Sequence, residues 1–416
     1  MPATSSIANT DLKWETTIAR NLGFDFQLFG GKLNGTLELY KNTVKDLLMI
    51  QPVPALTGFQ YTYANIGQTS NKGIELSLSG DLIKSQDFNL MGSININVNK
   101  GNVDKLDPSV DGKYSSGFGG VYFNPRQDYY LEEGKPVGLF RGYVYDGWYT
   151  TADFDYNPAT QQYTTKAGVP KIEAGILGTV YGTQANKPAG QSEYPGVQKV
   201  KDINGDGIIN ADDITVTGDA NPAHTGGFNL SGNLKQFDFS FDFTWSVGND
   251  IYNASHVEAY AGNKEQGLYR NRYQELAGAY KIYDIINGQL TKVVDPAALD
   301  ALNANATTFL PYPENGLATT FGIEDGSYLR LNTITLGYSI PQNIVDRLGI
   351  NRFRIYGSIF NAFTITGYDG FDPEINVNES SNSGGAFNAF RLPTPGLDLN
   401  AYPRPRTYTF GVNIEF

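Results

Sequence analysis

Oxygen donors at fixed spacing are the clearest chemical signal in this chain. In Asp202-Ile-Asn204-Gly-Asp206-Gly-Ile208-Ile-Asn210-Ala-Asp-Asp213, side-chain oxygens fall at loop positions one, three, five and nine, with a carboxylate at position twelve. Gly207 at position six allows the sharp turn, and Ile208 at position seven offers its backbone carbonyl. This is the D-x-[DN]-x-[DN]-G pattern of a hard-cation loop, and the expected ion is calcium in a structural role. Position twelve is Asp213 where a Glu is usual, and its shorter arm makes two-oxygen coordination harder. A polar turn rich in Asn, Asp and Gly is the plain alternative. Only one copy of the pattern is present.

Other chemistry is sparse. Cysteine is absent, which removes disulfides, zinc–thiolate sites and thiol catalysis together. His224 and His256 are the only histidines, and neither HExxH nor GxSxG occurs. Asp212–Asp213 and Glu132–Glu133 are carboxylate neighbours of glycosidase type without a readable separation. No catalytic residue is therefore assigned. Asp369, Asp372 and Glu374 in GYDGFDPE read best as a loop-folding motif near a rim. Tyr122, Phe123, Tyr129 and Tyr130 suit either sugar stacking or packing beneath a partner.

The elements that position these residues show a period of two. In RPRTYTFGVNIEF, Tyr408, Phe410, Val412, Ile414 and Phe416 are apolar, and Thr407, Thr409, Gly411, Asn413 and Glu415 are small or polar. Such alternation gives a strand with one greasy and one wet face. It recurs over 12–28, 33–46, 72–82, 88–99, 226–234, 237–246, 327–340 and 351–363, so with the terminal 404–416 nine strands are expected. The 237–246 strand sets Phe237, Phe239, Phe241, Phe243 and Trp245 against Asp238, Ser240, Asp242 and Thr244. In the first strand Arg20 alone violates the apolar face.

Connections alternate between short (30–32, 84–87, 235–236, 341–350) and long (47–71, 100–225, 247–326, 364–403). Strands of this length with loops long on one side and short on the other predict a transmembrane antiparallel β-barrel, its short turns in the periplasm. The first and ninth strands then both descend. A barrel that begins and ends in the periplasm has an even strand number, so at least one ascending strand is expected upstream. The same parity puts the 100–225 insertion, with its calcium loop and the FRGYVYDGWY segment, outside the cell. That segment fits a strand of a surface subdomain or a plug-facing hairpin.

Composition agrees. Aromatics reach 13%, with 27 Tyr and 24 Phe, which suits interfacial girdles or a glycan-binding surface. The net charge of −12 removes the electrostatic attraction that nucleic-acid binders use. No apolar run is long enough for a membrane helix, and MPATSSIANTDLKWE lacks the features of a signal peptide. Exported material beginning this way is expected to be mature, or the back part of something longer.

Seven segments in order carry a family resemblance: LKWETT, NIGQTSNKGIELSL, GKPVGLFRGYVYDGWY, DINGDGIINADD, SYLRLNTITLGYSIP, NAFTITGYDGFDPE and YPRPRTYTFGVNIEF. Over essentially the whole chain they resemble the C-terminal part of the SusC/RagA-type TonB-dependent transporters of Bacteroidetes. The resemblance implies a 22-stranded outer-membrane barrel, of which this chain would supply strands fourteen to twenty-two. It also implies an N-terminal plug and TonB box, neither seen here, contact with the TonB complex, and a SusD-like surface lipoprotein as lid. Import of oligosaccharide or peptide would follow. The alternative is a calcium-stabilised, soluble β-rich carbohydrate-binding or adhesin module.

Overall fold

The computed structural model describes residues 6–416 except 60, 109, 111, 117–122, 125–126, 174–175, 177–190, 261–271, 312–315, 376–392 and 400. Nine long strands form its framework: β1 (Thr16–Leu28), β2 (Leu33–Pro52), β3 (Tyr61–Lys84), β4 (Phe88–Leu106), β5 (His224–Leu234), β6 (Phe237–Val247), β7 (Tyr328–Ser339), β8 (Arg352–Thr366) and β9 (Thr407–Glu415). Each pairs antiparallel with its neighbours in chain order, forming one sheet from β1 to β9. Among the described residues β1 and β9 do not pair with each other, so the sheet is an arc of wall. The short strand Ser6–Ile7 adds parallel to β3 at Tyr61–Thr62.

Cross-strand register shows why the alternation matters. One row runs Phe24–Leu37–Leu76–Ile96 across β1 to β4. A second runs Leu78–Ile94–Phe228–Phe243 across β3 to β6, and a third Phe237–Tyr338–Ile355–Val412 across β6 to β9. Most apolar residues of the nine strands share the convex face, while Met91 and Val44 pair with Ser231 and Thr17 on the other. Many stay open: Leu22, Phe24, Ile74, Leu336, Phe410 and Val412 are all exposed. Nothing among the described residues covers them, the condition of a lipid-facing wall. Phe228 and Phe243 stack at 4.2 Å across the β5–β6 pair, adding to their burial against lipid.

The sequence expectation of a long 47–71 loop is corrected. β2 continues to Pro52 and β3 starts at Tyr61, leaving only 53–60 between them. The pairing slips between Val44 and Leu47 and again between Leu47 and Leu48. Each bulge moves side chains to the other face, so an intact strand loses its alternation in the sequence. β4 likewise runs on to Leu106, past the expected end at 99. β1 begins at Thr16, not at Leu12, and leaves Trp14 outside it, almost fully exposed.

The remaining long connections are not separate loops. The described parts of 107–223, 248–327 and 367–406 fold into one layer at the end of the sheet away from the short turns. Asp250–Asn253 pairs with Ile323–Asp325 on one side and with Leu397–Asp398 on the other, joining the second and third connections. Tyr143 bridges Thr319, joining the first to the second. The FRGYVYDGWY segment becomes two strands here. Leu139–Gly142 lies in a four-stranded sheet, and Tyr145–Trp148 pairs with Gln198–Val200.

Candidate functional site: the polar concave face and the loop layer above it

Because side chains alternate, fixing the apolar face outward fixes the polar face inward. A concave row runs Asp25–Thr36–Ser77–Asn95–Gly227–Thr244–Arg330 from β1 to β7. Asp25 accepts a hydrogen bond from Thr36 at 2.7 Å. All of these positions except Arg330 line a concavity of about 1090 Å³, together with Glu75, Asn97, Asp242 and Glu374. Carboxylates, amides and hydroxyls in this number make a hydrated wall able to pass or bind polar solutes. They form no nucleophile–base pair.

Near the short turns, the wall is locked by a charge pair. Arg354 donates from Nε to Asp238 Oδ1 at 2.8 Å and from Nη2 to Oδ2, while lying 4.8 Å from the Tyr356 ring. The pair spans β7, where Gly337 stands between the partners. A Cβ on Gly337 would sit 2.4 Å from Arg354 Nη2 and 2.5 Å from Asp238 Oδ1. The glycine is what lets the fork close.

At the other end the wall grips the loop layer. Arg330 is 2% exposed and binds Asp372 through Nη2, with Glu374 3.5 Å from Nη1. Glu374 also meets Arg404 at 2.8 Å. Tyr368 donates to Asp398, and the Asp369 N–H donates to Glu324 at 2.9 Å. The GYDGFDPE motif is thus a clasp that fastens the third connection to β7 and to the second connection. Register with Thr244 puts Arg330 on the inner face. Its partners lie over forty residues away and had no signal beyond the motif's acidity.

Glu324 is the second junction. Asn253 Nδ2 donates to it at 2.9 Å, and His256 Nδ1 lies 3.6 Å away while His256 Nε2 contacts Glu275. Burial pulls the His256 pKa down, but the two carboxylates outweigh it and the net shift is upward. Burial alone would raise Glu324, yet its hydrogen bonds from His256, Asp369 and Asn253 hold it below the usual range. His256, which carried no motif in the sequence, ties Glu275 and Glu324 together.

The aromatic residues have a plainer use than the sequence allowed. Tyr129, Phe140, Tyr149, Tyr163, Tyr194, Tyr260 and Phe309 form the buried core of the loop layer, drawn from two of the connections. Tyr129 is fully buried and donates to the Pro395 carbonyl at 2.9 Å, so it does not stack on a sugar. Tyr130 is half-buried beneath Arg141. Tyr122 lies outside the described residues, as does the Phe123 side chain. Burial also pushes Asp128, held by Ser116, up to about 6.

The 202–213 loop lies in the first connection. Gly205 and Gly207 adopt left-handed φ of 75° and 83°, as a turn at these positions requires. Asp202 accepts from the N–H groups of Gly205 and Gly207 at 2.7 Å each, Asn204 from Asp206 at 2.9 Å, and Asp206 from Ile208 at 2.8 Å. Asn210 caps the short helix Ala211–Asp213 through the Asp212 N–H. Asp213 is fully buried and accepts from Ile203 and Asn210, both at 2.8 Å. All six predicted positions share one turn. Among the described residues no three acidic or histidine side chains converge into a metal-sized cluster.

A sheet with an uncovered apolar convex face, a hydrated concave face and a folded cap at one end defines the wall of a membrane β-barrel. Comparison with known proteins narrows the class. Residues 1–169 match the family model described as TonB dependent receptor-like, beta-barrel. The chain is 31% identical over 412 residues to TonB-dependent receptor P3 of Formosa agariphila, covering 99% of this chain and 35% of the relative. It is 26% identical over 414 residues to TonB-dependent receptor SusC of Bacteroides thetaiotaomicron, covering 98% of this chain and 32% of that one. Among solved structures, the RagAB peptide transporter superposes with a TM-score of 0.64 at 23% identity, over 98% of this chain and 36% of the other. Residues 1–169 thus match a TonB-dependent receptor β-barrel, and the chain as a whole is similar to TonB-dependent receptors, SusC among them. It spans about a third of the length of the curated relatives it matches.

Proposed function

We propose that this chain forms part of the wall and outer cap of a TonB-dependent importer in the Gram-negative outer membrane. The observation that carries the reading is the continuous register of all nine strands, apolar outside and polar inside. The short turns face the periplasm and the 107–223, 248–327 and 367–406 layer faces outward. No covalent chemistry is involved. The polar concave face guides solute, and energy enters through the TonB complex acting on other parts of the assembled receptor.

The cargo is oligosaccharide or peptide, taken up with a SusD-like surface lipoprotein seated over the loop layer. Similarity to SusC and to a peptide transporter supports this class. The exposed Leu and Phe of the convex face speak against a soluble carbohydrate-binding or adhesin module, which would have to hide them.

Calcium is proposed as the structural ion of the 202–213 loop. Asp202, Asn204, Asp206, the Ile208 carbonyl and Asn210 would supply oxygens at the mouth of the turn. Asp213 would close it while holding the two ends through Ile203 and Asn210. The ion would neutralise carboxylates that the turn brings together and so stiffen the outer layer.

The decisive experiment is growth of a receptor-deleted strain on oligosaccharide or on peptide as sole nutrient, with and without the restored gene. Restored growth on one of them, abolished when TonB is removed, is expected. Growth independent of TonB, or a protein that stays folded and monomeric without detergent, overturns the reading.

A further inference from the structure

Arg20 breaks the apolar face of β1, and register shows that the break does not stand alone. Arg20 pairs directly with Lys41, Lys41 with Lys72, and Lys72 with Lys100. Four cations therefore stand side by side across β1 to β4. They share the convex face with the next row, Leu22–Leu39–Ile74–Val98, one side-chain step away. All four are exposed. Like charges set directly opposite on a sheet repel. Strand spacing of about 4.8 Å puts the whole row within roughly 15 Å.

No protein group resolves that repulsion. Among the described residues none of the four has an ion-pair partner within 4 Å. Asp104 is the acid that acts on Lys41. It is already engaged by Ser70 Oγ at 2.7 Å, Asn102 Nδ2 at 2.6 Å and Gln68 Nε2 at 3.1 Å.

The height of the row says what meets it. Arg20 lies eight residues from Leu28, the last residue of β1 before the short turn. At about 3.3 Å per residue the apolar rows between them run about 26 Å along the strand, or about 20 Å of height at a tilt of roughly 40°, most of the roughly 25 Å band of an outer-membrane barrel. Lys41 and Leu33, Lys72 and Gly80, and Lys100 and Gly92 keep the same separation. The cations therefore stand where acyl chains end and headgroups begin, on the side of the folded loop layer.

We propose that Arg20, Lys41, Lys72 and Lys100 form a binding strip for the phosphates of an anionic, phosphorylated glycolipid in the outer leaflet. Its acyl chains lie along Leu22, Leu39, Ile74 and Val98, and its phosphates bridge neighbouring cations. Charge complementarity selects this occupant, because the strip is continuous with a lipid-facing surface and carries an excess of positive charge. The inference rests on the membrane orientation proposed above.

The test uses the full receptor carrying this chain, purified in detergent, stripped of lipid and titrated with bisphosphorylated lipid A or with the same lipid dephosphorylated. Native mass spectrometry reads binding, and heat-modifiable electrophoretic migration reads the folded barrel. The wild type is expected to prefer the phosphorylated lipid by at least about tenfold. The variant R20Q/K41Q/K72Q/K100Q should lose that preference while remaining folded. The variant carrying Lys41→Arg, Lys72→Arg and Lys100→Arg should keep it, as should K171Q/K281Q, altered in the loop layer. A folded wild type that does not discriminate, or a folded quadruple variant that still does, overturns the strip. A receptor that shows no heat-modifiable barrel overturns the membrane reading itself.

Discussion

At the residue scale, Arg330 and Asp372 form the costliest contact to break. Both are buried, so removing one strands the other's charge away from water. Arg330→Ala or Asp372→Ala is expected to cost about 3–5 kcal/mol and to open the segment around 367–406 to proteolysis. Limited digestion and thermal unfolding in detergent check this. The paired replacement R330M/D372L should recover much of the loss, since a matched apolar pair leaves no orphan charge. The ion loop makes a different prediction. D202A/D206A should abolish terbium luminescence sensitised at the loop and raise cleavage between residues 107 and 223. Unchanged terbium binding would sink the calcium assignment.

Protonation at His256 belongs to the same scale. Its pKa is raised by Glu324 and Glu275 against the effect of burial. Its stabilising contribution is fully present below the ordinary histidine value of 6.5 and is lost as pH rises through the folded value. Glu324 has the opposite sign, with its lowered pKa making its contribution present above 4.5 and lost in acid. The junction between the second and third connections should be firmest between these limits. Protease resistance of the loop layer followed from pH 5 to 9 should fall as pH rises through the raised His256 value, and H256Q should flatten that fall.

At the element scale, the alternating strand makes a prediction of sign. Phe241 and Asp242 are adjacent on β6 but point to opposite faces. Phe241→Lys puts a charge into the lipid-facing band and should cost about 2–4 kcal/mol. Asp242→Lys faces the hydrated concavity and should leave folding nearly unchanged. Refolding into lipid vesicles under a urea gradient measures both, and equal losses would refute the assigned faces. The bulges near Val44 and Leu47 show the limit of pattern reading. A strand that slips by one residue reverses its alternation, so β2 and β3 read as loop where they remain paired.

At the scale of the whole molecule, three long connections separated in sequence become one folded layer with an aromatic core. That layer is clasped to the wall through Arg330 and tied together at Glu324. The sequence alone determined the nine strands, their polarity of faces and the short-turn end, because period-two patterning is local and lipid demands it along every strand. It also placed the oxygen donors of residues 202–213 in one turn, since their spacing is local too. Tertiary structure decided the rest: which acids meet Arg330, why Tyr129 is core, and that Arg20 stands beside three lysines. Those facts depend on register and on contacts between distant segments, and a one-residue slip in pairing would have erased each of them.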